Sequence, residues 1–296
     1  MTDGYQSIFR PGLFRDRVIM VTGGGTGLGR CTAHELASLG ATVIIAGRTE
    51  ETLRQTAGEI LDAGGLCETT ILNIRDEASV ESAIASVVST HGRIDGLFNN
   101  AGGQFVSPVE KMSVNAWKTV IDLNLNGTFM MTQAVYRHSM KAHGGAIVNM
   151  LADIWSGYPG MAHMAAARAG IENMTKTLTM EWARDDVRLN CVAPGTILSN
   201  GMLTYPQETQ EYSVEIAKQQ PSARIGTESE VSAAVVFLLS PAAAYIRGET
   251  IRVDGGESMQ KQRLLPIGQH EGTKAFNGFH LPTDFSGTPF EEMSKK

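Results

Sequence analysis

The stretch Val18-Ile19-Met20-Val21-Thr22-Gly23-Gly24-Gly25-Thr26-Gly27-Leu28-Gly29 decides the fold. Its apolar start reads as a buried parallel strand. The strand runs straight into a glycine-rich turn, and residues 30–39 continue as a helix closed by Gly40, a C′ glycine. In a strand–turn–helix the glycines have separate tasks. Gly23 permits the tight turn, Gly27 lets a pyrophosphate approach the backbone, and Gly29 lets helix and strand pack closely, with Thr26 and Leu28 completing the loop. The first helical N–H groups then face the phosphates. A lone glycine string is weak evidence; its place at the start of a βαβ unit gives it weight.

Outward from this stretch, strand and helix alternate. Strands are expected at 41–46, 66–72, 94–98, 146–150, 187–192 and 250–253, and helices at 50–63, 76–90 (capped by Asp76), 114–143, 160–180 and 228–239. That order implies a single doubly wound Rossmann-type α/β domain over 16–256, its parallel sheet covered on both faces. Residues 1–15 read as an N-terminal arm. Residues 196–225 have no clean period and are long for a connection, which suggests a substrate lid. Residues 257–296, with Phe276, Phe279, Phe285 and Phe290 isolated among polar residues, read as a C-terminal extension that either drapes over a neighbour or is partly disordered.

The totals exclude several function classes. A net charge of −6 without a basic stripe argues against nucleic-acid or anionic-membrane binding. No run reaches the roughly 18–20 apolar residues of a membrane span. Cys31, Cys67 and Cys191 lack metal-ligand spacing, so no metal site is expected and core thiols in a cytoplasmic protein are the default.

At the end of the second strand an Asp or Glu would grip an adenine-ribose 2′-hydroxyl. This chain reads Ala46-Gly47-Arg48-Thr49. A guanidinium there can pair with a 2′-phosphate that a carboxylate would repel, and Arg30 could add a second charge. NADP(H) is therefore expected over NAD(H).

Thr22-Gly-x-x-x-Gly-x-Gly, then Asn99-Asn100-Ala101-Gly102 after the fourth strand and Pro194-Gly195 after the sixth, resembles the short-chain dehydrogenase/reductase family over about residues 14–258. The resemblance implies seven parallel strands and a homo-oligomer, dimer or tetramer. It implies that Asn99, Asn100, Ala101 and Gly102 line the cofactor, that Asn73 and Ile74 lie near the adenine, and that Pro194, Gly195 and Ile197 touch the nicotinamide side.

Most members carry Tyr-x-x-x-Lys on the long helix, an upstream Ser, and an Asn on the preceding helix. Matched to that pattern, Met164 stands for the Tyr, Arg168 for the Lys, and Leu151 or Ala152 for the Ser; only the Asn is kept, as Asn124. The spacing of Glu172 and Lys176 imitates the motif one turn later, but they read as a surface pair. His163–Gly170, with Gly102-Gly103-Gln104-Phe105 and Ser107-Pro108, resembles the branch of peroxisomal-type trans-2-enoyl-CoA reductases and 2,4-dienoyl-CoA reductases, which implies an assisting role for Asn126.

The chemistry favours the same branch. Reducing a ketone makes an alkoxide and needs a placed acid. Hydride addition to an enoyl thioester makes an enolate that fixed donors can hold while its proton arrives separately. Arg168 cannot be an acid at neutral pH and is assigned to the ribose and local electrostatics. His163, Tyr158 and Asp153 are the proton-source candidates, and Trp155 and Met161 are expected to line the pocket. The leading expectation is thus an NADPH-dependent reductase of a conjugated C=C bond acting on a small-molecule substrate, a trans-2-enoyl-CoA thioester. The alternatives are an alcohol or aldehyde dehydrogenase for apolar substrates such as acyclic terpenols, and a dinucleotide-binding subunit without catalysis.

Overall fold

The computed structural model describes residues 4–259, 270 and 272–295; parts of the expected arm (1–3) and extension (260–269, 271, 296) lie outside the described residues. The strands β1 (Val18–Thr22), β2 (Thr42–Gly47), β3 (Leu66–Ile71), β4 (Gly96–Asn99), β5 (Gly145–Met150), β6 (Val187–Pro194) and β9 (Thr250–Val253) form one seven-stranded sheet in the order β3-β2-β1-β4-β5-β6-β9. Every neighbouring pair is parallel. Two short strands, β7 (Ile197–Leu198) and β8 (Gly226–Thr227), pair separately at the root of the lid.

Alternation along each strand sends side chains to two cores. Ile19, Val21, Val43, Ile45 and Val148 pack under α1 (Gly27–Ser38), α2 (Glu50–Asp62) and α9 (Glu228–Leu239). Met20, Ile44, Leu97 and Ile147 pack under α3 (Glu77–His91) and α5 (Gly127–Val135). The inner strands β1, β2 and β4 are buried on both faces and read as apolar runs, whereas the edge strand β3 is largely exposed and carries Glu68, Thr69 and Thr70. Asp76 caps α3, accepting from the N–H groups of Ala78 and Ser79. The buried Arg188 serves the other kind of helix end: its guanidinium donates to the carbonyls of Leu238, Ser240 and Ala243 at the close of α9.

Residues 114–143 are helical throughout, as expected, but the run is α4 (Val114–Ile121), a π turn over Asp122–Asn126, α5, a second π turn over Tyr136–Met140, and α6 (Lys141–His143). The expected catalytic helix is α7 (Ala162–Glu181), and the lid contains α8 (Gln207–Gln219). Helix α8 has only Gln210 and Ala217 buried, so its sequence carries no apolar period to read.

The C-terminal segment folds onto its own chain. Phe279 is buried with Tyr5 and Cys31, and Phe285, Phe290 and Met293 from the end of the chain pack on Leu198, Ala217 and Ile225 of the lid. A short helix, α10 (Glu291–Ser294), ends the described chain. All three cysteines are buried thiols. No described helix is long and apolar enough to cross a membrane.

Candidate active site

Loops at the C-terminal ends of β1, β2, β3, β4, β5 and β6 bring the expected residues to one rim of the sheet. Strand order changes direction between β1 and β4, and the crevice outside the strand ends at that switch is where open α/β sheets bind ligands. The two loops bordering it are tied together. Asn100 donates from Nδ2 to the carbonyls of Thr22 (3.1 Å) and Gly23 (3.3 Å), while the Thr22 hydroxyl accepts from the N–H groups of Asn100 and Ala101, both at 3.0 Å. Asn99 lies beneath them, buried, donating to Thr132 and Asn149; it supports the loop rather than lining the crevice.

The glycines differ in the space around them. Gly23 has φ +65°, and a Cβ at Gly29 would run into the Gly23 carbonyl oxygen. Gly27, at φ +55°, has open space: its nearest neighbour to an added Cβ is Glu228 Oε1 at 3.8 Å. Thr26, extended and exposed, precedes α1, whose N–H groups face the same opening, and Leu28 turns inward to the core. A turn that is tight on both sides and open at its middle fits a diphosphate.

At the adenine side Arg48 is exposed, Asn73 forms a local turn by accepting the Arg75 N–H at 3.2 Å, and Ile74 is buried against Gly127. Arg30 does not join Arg48. Its Nε pairs with Glu59 at 2.8 Å, its Nη1 donates to the Leu281 carbonyl at 3.0 Å, and it lies over the Phe279 ring. The expected second cation is therefore corrected to a clamp for the C-terminal segment.

On the nicotinamide side Arg168 is buried, donating from Nη1 to the Met150 carbonyl at 2.6 Å. Its Nε has no partner among the described residues, and burial pulls the guanidinium down to about 10, still charged at neutral pH. A Cβ on Gly102 would sit 2.5 Å from Arg168 Nη2 and 2.6 Å from Asn124 Oδ1. A buried cation with unused donors fits the hydroxyls of a ribose. Pro194 and Gly195 are half-buried and Ile197 is buried beside them. That turn is held by Glu257, which accepts from the Thr196 N–H (2.8 Å) and hydroxyl (3.3 Å).

Two asparagines take positions other than those expected. Asn124 is fully buried, and its Nδ2 donates to the carbonyls of Gly103 (2.8 Å) and Val120 (2.9 Å) while Oδ1 accepts from the Gly103 N–H. Both of its N–H groups are engaged, so it fixes the Gly102–Gly103 loop and has no donor left for a substrate. Asn126, two residues on and across the π turn, is exposed and bonds Asp122 at 2.8 Å; it faces away from the crevice.

The helix positions differ in the same physical way. Met164, in place of the acid, is buried with Val120 and Met161, and Ala152, in place of the serine, packs on them. His163 is buried, its ring edge on Phe105 at 4.6 Å. Its Nδ1 accepts the Met164 N–H, which leaves the proton on Nε2, and Nε2 has no partner among the described residues. Burial pushes this imidazole below its ordinary value, so it is neutral at pH 7. Tyr158 stands partly exposed at the rim, pushed up to about 12 by burial, then by Glu257, Tyr205 and Asp153. Asp153 accepts a long bond from the Trp155 N–H, and Arg252 stacks 3.8 Å over Trp155. Lys176 and Glu172 form a 2.9 Å surface pair.

Two residues at this site, Glu257 and Tyr205, have no sequence signal of their role; Gln104, from the Gly102-Gly103-Gln104-Phe105 motif, bonds Tyr205 at 2.9 Å across 101 positions. A tyrosine in an aperiodic lid has no neighbour in sequence that reveals where its hydroxyl ends.

The enoyl-(acyl carrier protein) reductase family model matches residues 23–258. A protein of Bacillus subtilis named as a probable 2,4-dienoyl-CoA reductase, (2E)-enoyl-CoA-producing, is 37% identical over 244 residues, covering 81% of this chain and 96% of its own. The peroxisomal 2,4-dienoyl-CoA reductase of Danio rerio, (3E)-enoyl-CoA-producing, is 35% identical, covering 89% of this chain and 90% of its own. Among solved structures, a citronellol catabolism dehydrogenase of Pseudomonas aeruginosa superposes with a TM-score of 0.78 at 49% identity, over 86% of this chain and 100% of that one. The seven parallel strands, the three strand-end motifs and these relatives agree: the chain belongs to the short-chain dehydrogenase/reductase family, oxidoreductases that use a nicotinamide dinucleotide.

Proposed function

We propose that the protein is an NADPH-dependent reductase of a C=C bond conjugated to a thioester carbonyl, a trans-2-enoyl-CoA or its 2,4-dienoyl counterpart. The observation that carries this reading is the apolar floor where the family's acid and serine would stand: Met164 buried with Val120 and Met161, with Ala152 against them. A ketone or aldehyde reduced over that floor would leave an alkoxide with no acid at the helix position beside it, whereas an enolate can be held by fixed dipoles at its oxygen while its proton arrives from elsewhere. The reduced nicotinamide, when bound, supplies the hydride. Gly27, the first turn of α1, Ala101, Gly102, Arg168 and the Pro194–Thr196 turn would hold the dinucleotide, and Arg48 would pair with a 2′-phosphate. The Nε2–H of His163, buried and unpartnered, is assigned to the thioester oxygen. Tyr158 is assigned to the rim. The dienoyl-CoA reductases among the relatives support the substrate class.

A second reading, NADP-linked oxidation of an apolar alcohol such as a terpenol, is favoured by the similarity to the citronellol catabolism dehydrogenase. A panel followed by NADPH absorbance separates the two. The first predicts consumption of NADPH with enoyl- or dienoyl-CoA and none with citronellal; the second predicts the reverse. We also infer a homo-oligomer, supported by the exposed Trp117 and Phe129 along the 114–143 helical run; light scattering on the purified protein tests it.

A further inference from the structure

Reduction of a conjugated C=C bond needs a proton as well as a hydride, and Met164, which stands at the family's acid position on α7, offers none. The lid offers one. Tyr205 lies between the lid's 3₁₀ turn and α8, half-buried, with its ring packed on the cluster of Val120, Met161 and Met164 beside Ala152. It therefore covers the two positions from which the family's usual hydroxyls are missing.

Its orientation is set from two sides. Gln104, on the loop after β4, donates from Nε2 to the Tyr205 Oη at 2.9 Å. The buried Gln210 donates from Nε2 to the Tyr205 backbone carbonyl, also at 2.9 Å. An amide N–H directed at the phenolic oxygen has two consequences. The hydroxyl hydrogen cannot point back at Gln104 and is free for another acceptor, and a phenolate formed there would keep a hydrogen bond. Tyr158 is the titratable group near Tyr205, with Glu257 and Asp153 acting on Tyr158 in turn, and the hydrogen bond of the Tyr205 hydroxyl among the described residues is the one from Gln104.

We propose that Tyr205 is the proton donor, delivered by the lid in place of the missing helix tyrosine, with Gln104 as its positioning residue. In this step the phenolic O–H bond breaks, the enolate electron pair forms a C–H bond at the substrate carbon, and the phenolate is reprotonated by water. A reduced nicotinamide dinucleotide is the co-reactant that provides the hydride. The inference rests on the thioester reading above, and the experiment separates the two.

Wild-type, Tyr205→Phe and Gln104→Leu proteins are given NADPH and a 2-methyl-2-enoyl-CoA, whose reduced α-carbon is chiral, and product enantiomers are resolved. NADPH affinity and thermal midpoint serve as controls. Wild type is expected to give one enantiomer. Tyr205→Phe should lose about 100-fold in kcat and give a racemic product, because water then protonates the enolate from either face. Gln104→Leu should lose about tenfold and keep the stereochemistry. No turnover by wild type overturns both readings. Turnover by wild type with Tyr205→Phe within threefold, or slow but still giving one enantiomer, overturns the assignment of Tyr205 alone.

Discussion

Replacing Glu228 by Gln should make the protein more stable in alkaline buffer and leave it almost unchanged in mild acid. Glu228 opens α9 with 6% of its surface exposed, and its Oε1 has no partner among the described residues. Burial raises its carboxyl to about 7 from an ordinary 4.5, and Arg30 offsets only part of that. The folded value is thus the higher one. The protonated form's contribution is fully present below 4.5 and is lost as pH rises through 7. A gap of about 2.5 units at 1.36 kcal/mol each gives roughly 3 kcal/mol, of which about 2 kcal/mol is expected after relaxation and water entry. Gln is neutral throughout. Any fixed cost of its amide cancels between pH values, and Glu35, the other buried acid nearby, is common to both proteins. Urea unfolding at pH 5 and pH 8.5 measures the effect. The difference between variant and wild type should rise by about 2 kcal/mol between those two pH values. A difference that stays constant within about 0.5 kcal/mol would refute the reasoning. Because Glu228 borders the open space at Gly27, the same variant should bind NADPH more tightly at pH 8.5 than wild type does.

Gly102→Ala should cost at least about tenfold in dinucleotide affinity, since its Cβ would displace Arg168 Nη2 and Asn124 Oδ1, standing 2.5 and 2.6 Å away; titration calorimetry against a folded control reads it. Arg48→Glu should reverse the preference for NADPH over NADH, as the ratio of kcat/KM for the two cofactors will show, and an unchanged ratio would remove Arg48 from the 2′-phosphate. Phe290→Ala should destabilise by about 3 kcal/mol and open the lid to proteolysis within 199–220, because that ring is fully buried against the lid's root.

Much of this was legible in the sequence, and the limits have physical causes. The inner strands β1, β2 and β4 are buried on both faces, so they stand out as apolar runs, and the glycines at 23 and 29 follow from how closely backbone must approach backbone. Helix α8 was hidden because it buries almost nothing. The resemblance implies roles for Asn124 and Asn126 as donors, but hydrogen-bond partners decide whether an amide is free: those of Asn124 include Gly103, 21 positions away, and Asn126 turns to Asp122 on its own helical run. Arg30 was misread for the same reason, its partners being Glu59 and the Leu281 carbonyl. The C-terminal phenylalanines have no period because their holes belong to the finished domain: Phe279 packs with Tyr5 and Cys31, and Phe285 and Phe290 pack together on the lid.

The central claim is that hydride is added to carbon of a conjugated double bond rather than to a carbonyl. Stereospecifically 4-deuterated NADPH, reacted with a trans-2-enoyl-CoA and with citronellal, follows that atom directly. The account predicts deuterium at the β-carbon of a saturated acyl-CoA and none in citronellol. Deuterium at C1 of citronellol, with the enoyl-CoA returned unreduced, would contradict it.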